Sequence, residues 1–380
     1  MKILFVTTSL NVGGAERILY NNIMGMLAKN NQCVVISLYG NGYWGDELVK
    51  VGVPIFSLNL GSKKSILNGC LATLSMLTKE RFDVVQGWMY HGNLTATVLK
   101  FLFNKSAVLT WSIRQTLYQV SSEKPHTRLV IFLCAKLSKA ADSIIYNSEL
   151  SLAQHSEYGF DARYATYLPN SYKVHSIKRS KKKVKFIRNR FGVKKYDLLI
   201  GHVARFHPMK GHQTFIDAAK IVLETKPNAR FMLIGRGLEL VKDRLLSTIS
   251  ADHHSSIEFI DETNDVYDYM QSFDIFCVTS LWGEGFPNVL AEAMLLELPC
   301  ITTDVGDARK LLNDSKYTIP VNAPKALSAA ILELINAGEA KREMIGKLNR
   351  KGIVNRYETN RVTAILNNLY KNLINKKNML

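Results

Sequence analysis

The sequence predicts an α/β protein made of two doubly wound, parallel-sheet domains, and three observations carry that prediction. Short β-rich runs alternate with helix-period stretches along most of its 380 residues. The alternation breaks once, at a block of like charge, and then resumes. The length suits two domains of roughly 150–190 residues better than one ordinary core. Strand–helix alternation implies parallel sheets with helices on both faces.

In the first series, Lys2–Thr7, Cys33–Leu38, Pro54–Leu58, Asp83–Gly87, Ala107–Trp111 and Ser143–Tyr146 read as strands. Helical patterns lie between them, as at Ala15–Ala28, Ser65–Leu77 and Asn93–Phe103. In the second series, Asp197–Val203, Arg230–Ile234, Ser256–Ile260, Asp274–Thr279 and Pro299–Thr302 read as strands. Between Lys178 and Lys195 stand ten basic residues and no acidic one. The expected organisation is an N-terminal domain over 1–172, a basic linker over 173–195, a C-terminal domain over 196–355, and a helix over 356–380 that packs back on the N-terminal domain. Gly346 and Gly352 are expected weak points of the helical tail. In such sheets ligands sit beyond the carboxyl ends of the strands, so two lobes facing each other would hold a ligand in the cleft between them.

A hydrophobic content of 47% with 21% charged residues is that of a globular chain, not a disordered one. No stretch approaches the ~20 apolar residues of a membrane span. The apolar start Met1–Thr7 lacks the features of a signal peptide and reads as a first strand. Five scattered cysteines without C-x-x-C spacing read as buried apolar residues in a reducing, cytoplasmic setting. The formal charge of +17 calls for an anionic partner: a phosphate-bearing substrate, an anionic membrane or nucleic acid.

The most informative stretch runs from Ser280 to Met294, after a β run and into a helix. Pro287 suits the first helical position, where its missing N–H would be unpaired anyway. Gly283 and Gly285 allow close backbone approach, and the free N–H groups at the helix start can receive phosphate or sugar oxygens. Asn288 and Glu292 are four apart and share one face. Glu292 lies among apolar neighbours, so its carboxylate needs donors such as sugar hydroxyls; the plainer alternative is an acid favoured by the helix dipole.

A second constellation, Gly201 to Gly211, puts Arg205 and Lys210 in a loop after a strand. Two fixed cations there would stabilise the growing charge of a departing diphosphate; otherwise they are solvated surface residues. His207 and His212 flank the loop and read as surface residues or as supplementary contacts, the surface reading being favoured. A third stretch, Ser9 to Arg17, opens a helix with Gly13 and Gly14 and is not the dinucleotide fingerprint. It exposes backbone N–H groups or is simply a turn. The fourth, Gln86 to Asn93, carries His91 at a strand end, with Trp88 and Tyr90 able either to stack on a sugar or to pack in the core. Arg114 begins another strand-end loop.

Taken together, these residues resemble the retaining glycosyltransferases of family 4, whose Glu-x7-Glu signature matches Glu284 to Glu292 with Glu284-Gly285-Phe286-Pro287-Asn288 intact. The resemblance implies a GT-B fold, two Rossmann-like lobes with the nucleotide held mainly by the C-terminal one. It further implies that Glu284 binds donor-sugar hydroxyls, Glu292 the ribose, Arg205 and Lys210 the diphosphate, with Gly13, Gly14 and His91 completing the donor site. Glu284, His91, Arg205 and Lys210 are thus the expected catalytic set; Gly285, Phe286, Pro287 and Asn288 add donor contacts; Tyr90 and Arg114 stand on the acceptor side. Asp261-Glu-Thr-Asn-Asp265 departs from the family's usual turn and leaves the base open, UDP being favoured only by frequency in the family. Asn170-Ser171 and the region after Gly306-Asp307 depart as well, without removing a charged residue.

The implied reaction is hexosyl transfer from a nucleoside diphosphate to a hydroxyl of a glycan or lipid-linked oligosaccharide, in O-antigen, capsule or exopolysaccharide assembly. No metal or other cofactor is expected, since two cations neutralise the phosphates. A sugar-nucleotide epimerase of the same fold is an alternative. Nucleic-acid binding is disfavoured because the basic block lacks interleaved stacking aromatics. That block reads either as a solvated linker or as an attraction to anionic lipid at the inner face of the cytoplasmic membrane.

Overall fold

The computed structural model describes residues 1–62, 65–118, 120–194, 197–263 and 265–379. Lys195 and Tyr196, at the expected linker boundary, Asn264 of the expected base-side turn, and the terminal Leu380 lie outside the described residues. The chain divides into two units, one of residues 1–173 with 357–380, the other of 174–356.

In the first unit, strands β1 (Lys2–Thr7), β2 (Gln32–Ser37), β3 (Ile55–Ser57), β4 (Val84–Trp88), β5 (Val108–Ile113), β6 (Ser143–Tyr146) and β7 (Ala165–Tyr167) form one parallel sheet, ordered β3-β2-β1-β4-β5-β6-β7. Side chains alternate between the two faces, and both faces are buried. Leu4, Val6, Val85 and Leu109 point into one core; Ile3, Phe5, Val84 and Val108 point into the other. This double burial is why the strands read as continuous apolar runs. Helices α1 (Gly14–Leu27) and α2 (Gly42–Lys50) cover the second of these cores. Helices α3 (Ile66–Lys79), α4 (Met89–Phe103) and α5 (Pro125–Leu137) cover the first. α6 (Glu149–Tyr158) starts at Ser148, whose side chain accepts from Ser151 N–H, and ends at the left-handed Gly159.

The second unit begins with α7 (Lys181–Arg190) inside the basic block. The expectation of a bare linker over 173–195 therefore gives way to a helix fixed on its own unit. Arg188 pairs with Asp274 at 2.8 Å and donates to the Asp197 carbonyl at 2.6 Å. Ile187 is buried, while Lys181, Lys182 and Lys185 face solvent.

Strands β8 (Leu198–Val203), β9 (Ala229–Ile234), β10 (Ile257–Ile260), β11 (Ile275–Val278), β12 (Cys300–Thr303) and β13 (Thr318–Ile319) form a parallel sheet ordered β10-β9-β8-β11-β12-β13. Its helices are α8 (His212–Thr225), α9 (Lys242–Leu246), α10 (Val266–Met270), α11 (Asn288–Leu295), α12 (Ala308–Leu311), α13 (Pro324–Asn336) and α14 (Gly338–Tyr357). Gly346 and Gly352 do not interrupt α14. A Cβ at Gly346 would lie 1.8 Å from the Glu297 carbonyl oxygen, so its small size serves close packing. The final helix, α15 (Thr359–Asn378), returns to the first unit, where Val362, Leu366 and Tyr370 enter the core beneath α1. The Tyr370 hydroxyl donates to Gln86 at 2.5 Å. Among the five cysteines, Cys33, Cys134, Cys277 and Cys300 are buried and Cys70 half-buried, all as free thiols.

Candidate active site

Each sheet reverses its strand order once, between β1 and β4 in the first unit and between β8 and β11 in the second. Loops leaving adjacent strands at such a switch point diverge and leave a crevice at their carboxyl ends. The sequence motifs fall at these two places.

In the second unit, three neighbouring strands deliver three loops side by side. The loop after β8 turns at Gly211, whose φ of 62° is left-handed and whose missing Cβ would stand 2.0 Å from the Thr279 carbonyl oxygen. Thr279 Oγ1 donates to the carbonyls of Lys210 and Gly211 at 3.0 Å each, and Leu281 N–H donates to Met209 at 2.7 Å. The loop after β8 is thus tied to the loop after β11. The loop after β12 completes the set: Thr303 Oγ1 donates to the Ser280 carbonyl at 2.6 Å, and Asp307 N–H to the Gly285 carbonyl at 2.9 Å.

This frame holds an ion pair. The Lys210 ammonium pairs with Glu284 Oε1, and Ser280 Oγ donates to the same oxygen at 2.7 Å. Both side chains are largely shielded, at 20% exposure for Lys210 and 12% for Glu284, so the pair is less screened than a surface bridge. Gly285, Phe286 and Pro287 are buried, and Glu292 is buried within α11. Pro287, with ψ of 94°, is the residue before the helix rather than its first residue, and α11 begins at Asn288. Arg205 is exposed at the rim of the same loop and pairs with no carboxylate among the described residues. Lys210 and Glu284 therefore meet directly, while Asn288 and Glu292 stand on α11, into which the same loop leads. Sequence reasoning missed the supports of the pair: Ser280, Thr279, Thr303 and Gly306.

His212 corrects the sequence reading. It is 3% exposed, its Nε2 is 3.2 Å from the Ala204 carbonyl, and its ring meets His202 edge-on at 4.9 Å. His207 is half-buried, with Nδ1 accepting from Met209 N–H at 3.3 Å. Burial pushes His202 down to about 3, helped by the facing His212 and Lys210; burial likewise takes His212 to about 4. In the first unit, burial lowers His155 to about 4. All three stay neutral when folded, whereas their unfolded forms bind a proton near pH 6.5. Stability held above that pH is therefore lost as pH falls toward 4, at up to about 1.4 kcal/mol per pH unit for each histidine. Thermal melts between pH 7 and 4 should show this slope, and His212→Gln should flatten it; an unchanged slope would place the acid sensitivity elsewhere.

In the first unit, Gly13 is extended (φ −173°) and precedes α1, and Gly14 is its first residue. The Glu16 carboxylate folds back so that a Cβ at Gly13 would meet its Oε2 at 2.2 Å. Across the switch point, Trp88 Nε1 donates to the Ala15 carbonyl at 3.2 Å, tying β4's end to α1's start. Met89 follows with a φ of 61°, a left-handed conformation rare for a non-glycine residue and concentrated at functional sites. His91 sits two residues on, half-buried, with its ring 6.4 Å from that of His126. Burial first, then the charge of His126, lowers its pKa from the ordinary value, favouring neutral imidazole.

Two acceptor-side assignments give way. Tyr90 is 3% exposed and packs in the core, its hydroxyl 2.7 Å from His155 Nε2. Arg114 points inward as well: its Nε donates to Ser112 Oγ and its Nη1 to the Leu168 carbonyl, both at 2.8 Å, and its guanidinium lies 4.8 Å from the Trp88 ring centre. Burial pushes it down to about 10, and it works as a brace between β5 and the segment after β7. Both residues stand at strand ends, but their side chains turn toward the sheet.

Residues 183–352 match the family model described as glycosyl transferases group 1. The chain is 29% identical over 185 residues to the capsular polysaccharide biosynthesis glycosyltransferase CapM of Staphylococcus aureus, covering 47% of each chain. It is 21% identical over 345 residues to the UDP-Gal:alpha-D-GlcNAc-diphosphoundecaprenol alpha-1,3-galactosyltransferase of Escherichia coli, covering 88% of this chain and 87% of that one. Matches to several other curated relatives span only about a third to a half of their length. The crystal structure of Anabaena Alr3699/HepE in complex with UDP and glucose superposes with a TM-score of 0.80 at 19% identity, over 98% of this chain and all of that one. The fold, two parallel-sheet Rossmann-like units, is GT-B.

Proposed function

We propose that this chain, whose residues 183–352 match the group 1 glycosyl transferases model, moves a glycosyl group from a UDP-sugar to a hydroxyl of a glycan or lipid-linked oligosaccharide, with retention, in bacterial surface polysaccharide assembly. The observation that carries the reading is the Lys210–Glu284–Ser280 cluster at the carboxyl ends of β8, β11 and β12.

In this reaction the bond between the anomeric carbon and the diphosphate oxygen breaks, and the acceptor oxygen bonds to that carbon on the same face. The acceptor proton passes to the departing diphosphate oxygen, so that UDP leaves and atoms balance. Lys210 and Arg205 face the negative charge that grows on the diphosphate, an interaction stronger in the transition state than before it. Glu284 orients Lys210 through one oxygen and offers the other to a sugar hydroxyl. The backbone N–H groups before α11 add fixed partial positive charge. Glu292 receives the ribose hydroxyls. With two cations in place, no metal is required in this scheme.

The similarity of this chain to an enzyme named for UDP-Gal and to a structure solved with UDP supports uridine as the base. A thermal-shift panel tests it. UDP and UDP-sugars should raise the melting temperature, GDP should not, and Arg205→Ala should weaken the UDP shift by about tenfold in apparent affinity. Stabilisation by GDP alone would overturn the uridine assignment. Turnover of a sugar nucleotide without any acceptor would favour an epimerase instead.

A further inference from the structure

His212 is buried and has no part in the reaction proposed above, yet it stands at the neck of the loop that carries Arg205 and Lys210. The chain leaves β8 after Val203 and enters α8 at His212, so Ala204 and His212 bracket that loop. The His212 Nε2 lies 3.2 Å from the Ala204 carbonyl oxygen. A carbonyl only accepts, so the proton is on Nε2 and the bond closes the neck. The His212 ring also stands 5.5 Å from that of Phe206, centre to centre. Arg205 thus has on each side a residue that His212 holds. The far end of the loop is fastened by other means: Thr279 Oγ1 donates to the Lys210 carbonyl, and the Lys210 ammonium pairs with Glu284. Arg205 is exposed and pairs with no carboxylate among the described residues, so the residues beside it decide where it points.

The surroundings are fitted to this contact. The Ala204 N–H donates to the Ile234 carbonyl at 2.9 Å, and an added Cβ at Gly235 would lie 2.0 Å from the Ala204 carbonyl oxygen. The Phe206 N–H donates to the Arg236 carbonyl at 2.8 Å, and the Arg244 guanidinium lies 5.3 Å from the Phe206 ring centre. His202 meets His212 edge-on and donates from Nδ1 to the Cys277 carbonyl at 3.0 Å. Nδ1 of His212 is buried with no partner among the described residues. Packing alone would not select a ring that leaves one nitrogen unsatisfied, since an apolar side chain fills such a place without that cost. The bond from the other nitrogen is the reason for a histidine. We infer that His212 is a positioning residue for the leaving diphosphate: it fixes Ala204 and Phe206 so that the Arg205 guanidinium between them meets the phosphates. The inference rests on the diphosphate role given to Arg205 above.

The test is a mutant cycle read by UDP affinity, measured calorimetrically on the full chain, with a cooperative thermal melt to verify that each variant is folded. Arg205→Ala should weaken UDP about tenfold, and His212→Leu about three- to tenfold, because the cation is present but misdirected. The double variant His212→Leu/Arg205→Ala should match Arg205→Ala alone within about twofold. A residue that merely fills the core would give losses that multiply, or none. Glutamine carries its amide nitrogen about as far out as Nε2 and asparagine does not, so His212→Gln should restore most of the UDP affinity while His212→Asn should not. These two amides make the same comparison if His212→Leu does not fold. Three results would overturn the positioning role and leave the UDP assignment standing: losses that multiply in the double variant, UDP binding by His212→Leu within about twofold of the parent, or equal UDP binding by His212→Gln and His212→Asn. Failure of the parent to bind UDP would overturn the donor assignment, and this inference with it.

Discussion

Replacing Glu284 by Gln is expected to lower kcat by about 10²–10³ while leaving UDP binding intact or tighter. The carboxylate has two functions in the proposed reaction. One oxygen takes the Lys210 ammonium and the Ser280 hydroxyl; the other is directed to the sugar. The amide keeps the shape but removes the charge. Lys210, shielded to 20% exposure, then loses its counter-charge and is drawn more strongly to a bound diphosphate. Binding and turnover should therefore move apart, which a merely structural pair would not produce. The double variant Lys210→Ala/Glu284→Gln distinguishes the two functions. If Glu284 acts only by holding Lys210, the double variant will be no worse than Lys210→Ala alone. A further loss of about tenfold or more assigns the second oxygen to the sugar. Glu284→Gln with kcat within about threefold of the parent would sink the mechanism.

What the sequence showed of this site follows from the kind of residue involved. Glu284, Glu292, Arg205 and Lys210 stand out because charged groups at strand ends, beside glycine and proline, need a reason to be there. Ser280, Thr303 and Gly306 do not stand out, because their part depends on β11 lying beside β12, a pairing of Phe276 with Cys300, 24 residues apart. The basic run 178–195 reads as a linker because its charge masks a helix. What fixes that helix, the Arg188–Asp274 pair, joins residues far apart in sequence. Tyr90, Arg114 and His212 fail for a different reason: each lies next to a strand end, and position along the chain does not say whether a side chain turns to the crevice or to the core. The short strands β7 and β13 escape notice because three and two residues carry too little periodicity to be read. The strand–helix order of both units was nonetheless legible, since buried parallel strands are apolar on both faces and their helices are not.

The loop after β12 contains no charged group of the proposed mechanism, yet Gly306→Ala should be nearly as damaging as a substitution in the site. Gly306 has a φ of 62°, and an added Cβ would lie 2.2 Å from the Glu284 carbonyl oxygen and 2.5 Å from that of Gly285. Those atoms are backbone, so they cannot rotate away as a side-chain tip could. The neighbouring Asp307 N–H holds the Gly285 carbonyl at 2.9 Å, which leaves the segment little room to retreat. Left-handed strain costs about 1–2 kcal/mol, and relief of the overlap adds about 1–3 kcal/mol. A displacement of about 1 Å at Glu284 should reduce kcat/KM by about 10². Gly192→Ala supplies the comparison within the same unit. Its φ is 61°, nearly the same, but no atom lies within 4 Å of the added Cβ. It should carry the strain cost alone and keep full activity. If Gly306→Ala and Gly192→Ala lose equal stability and both retain activity, the third loop does not position Glu284, and the support of the site must come from the Thr279 and Ser280 contacts alone.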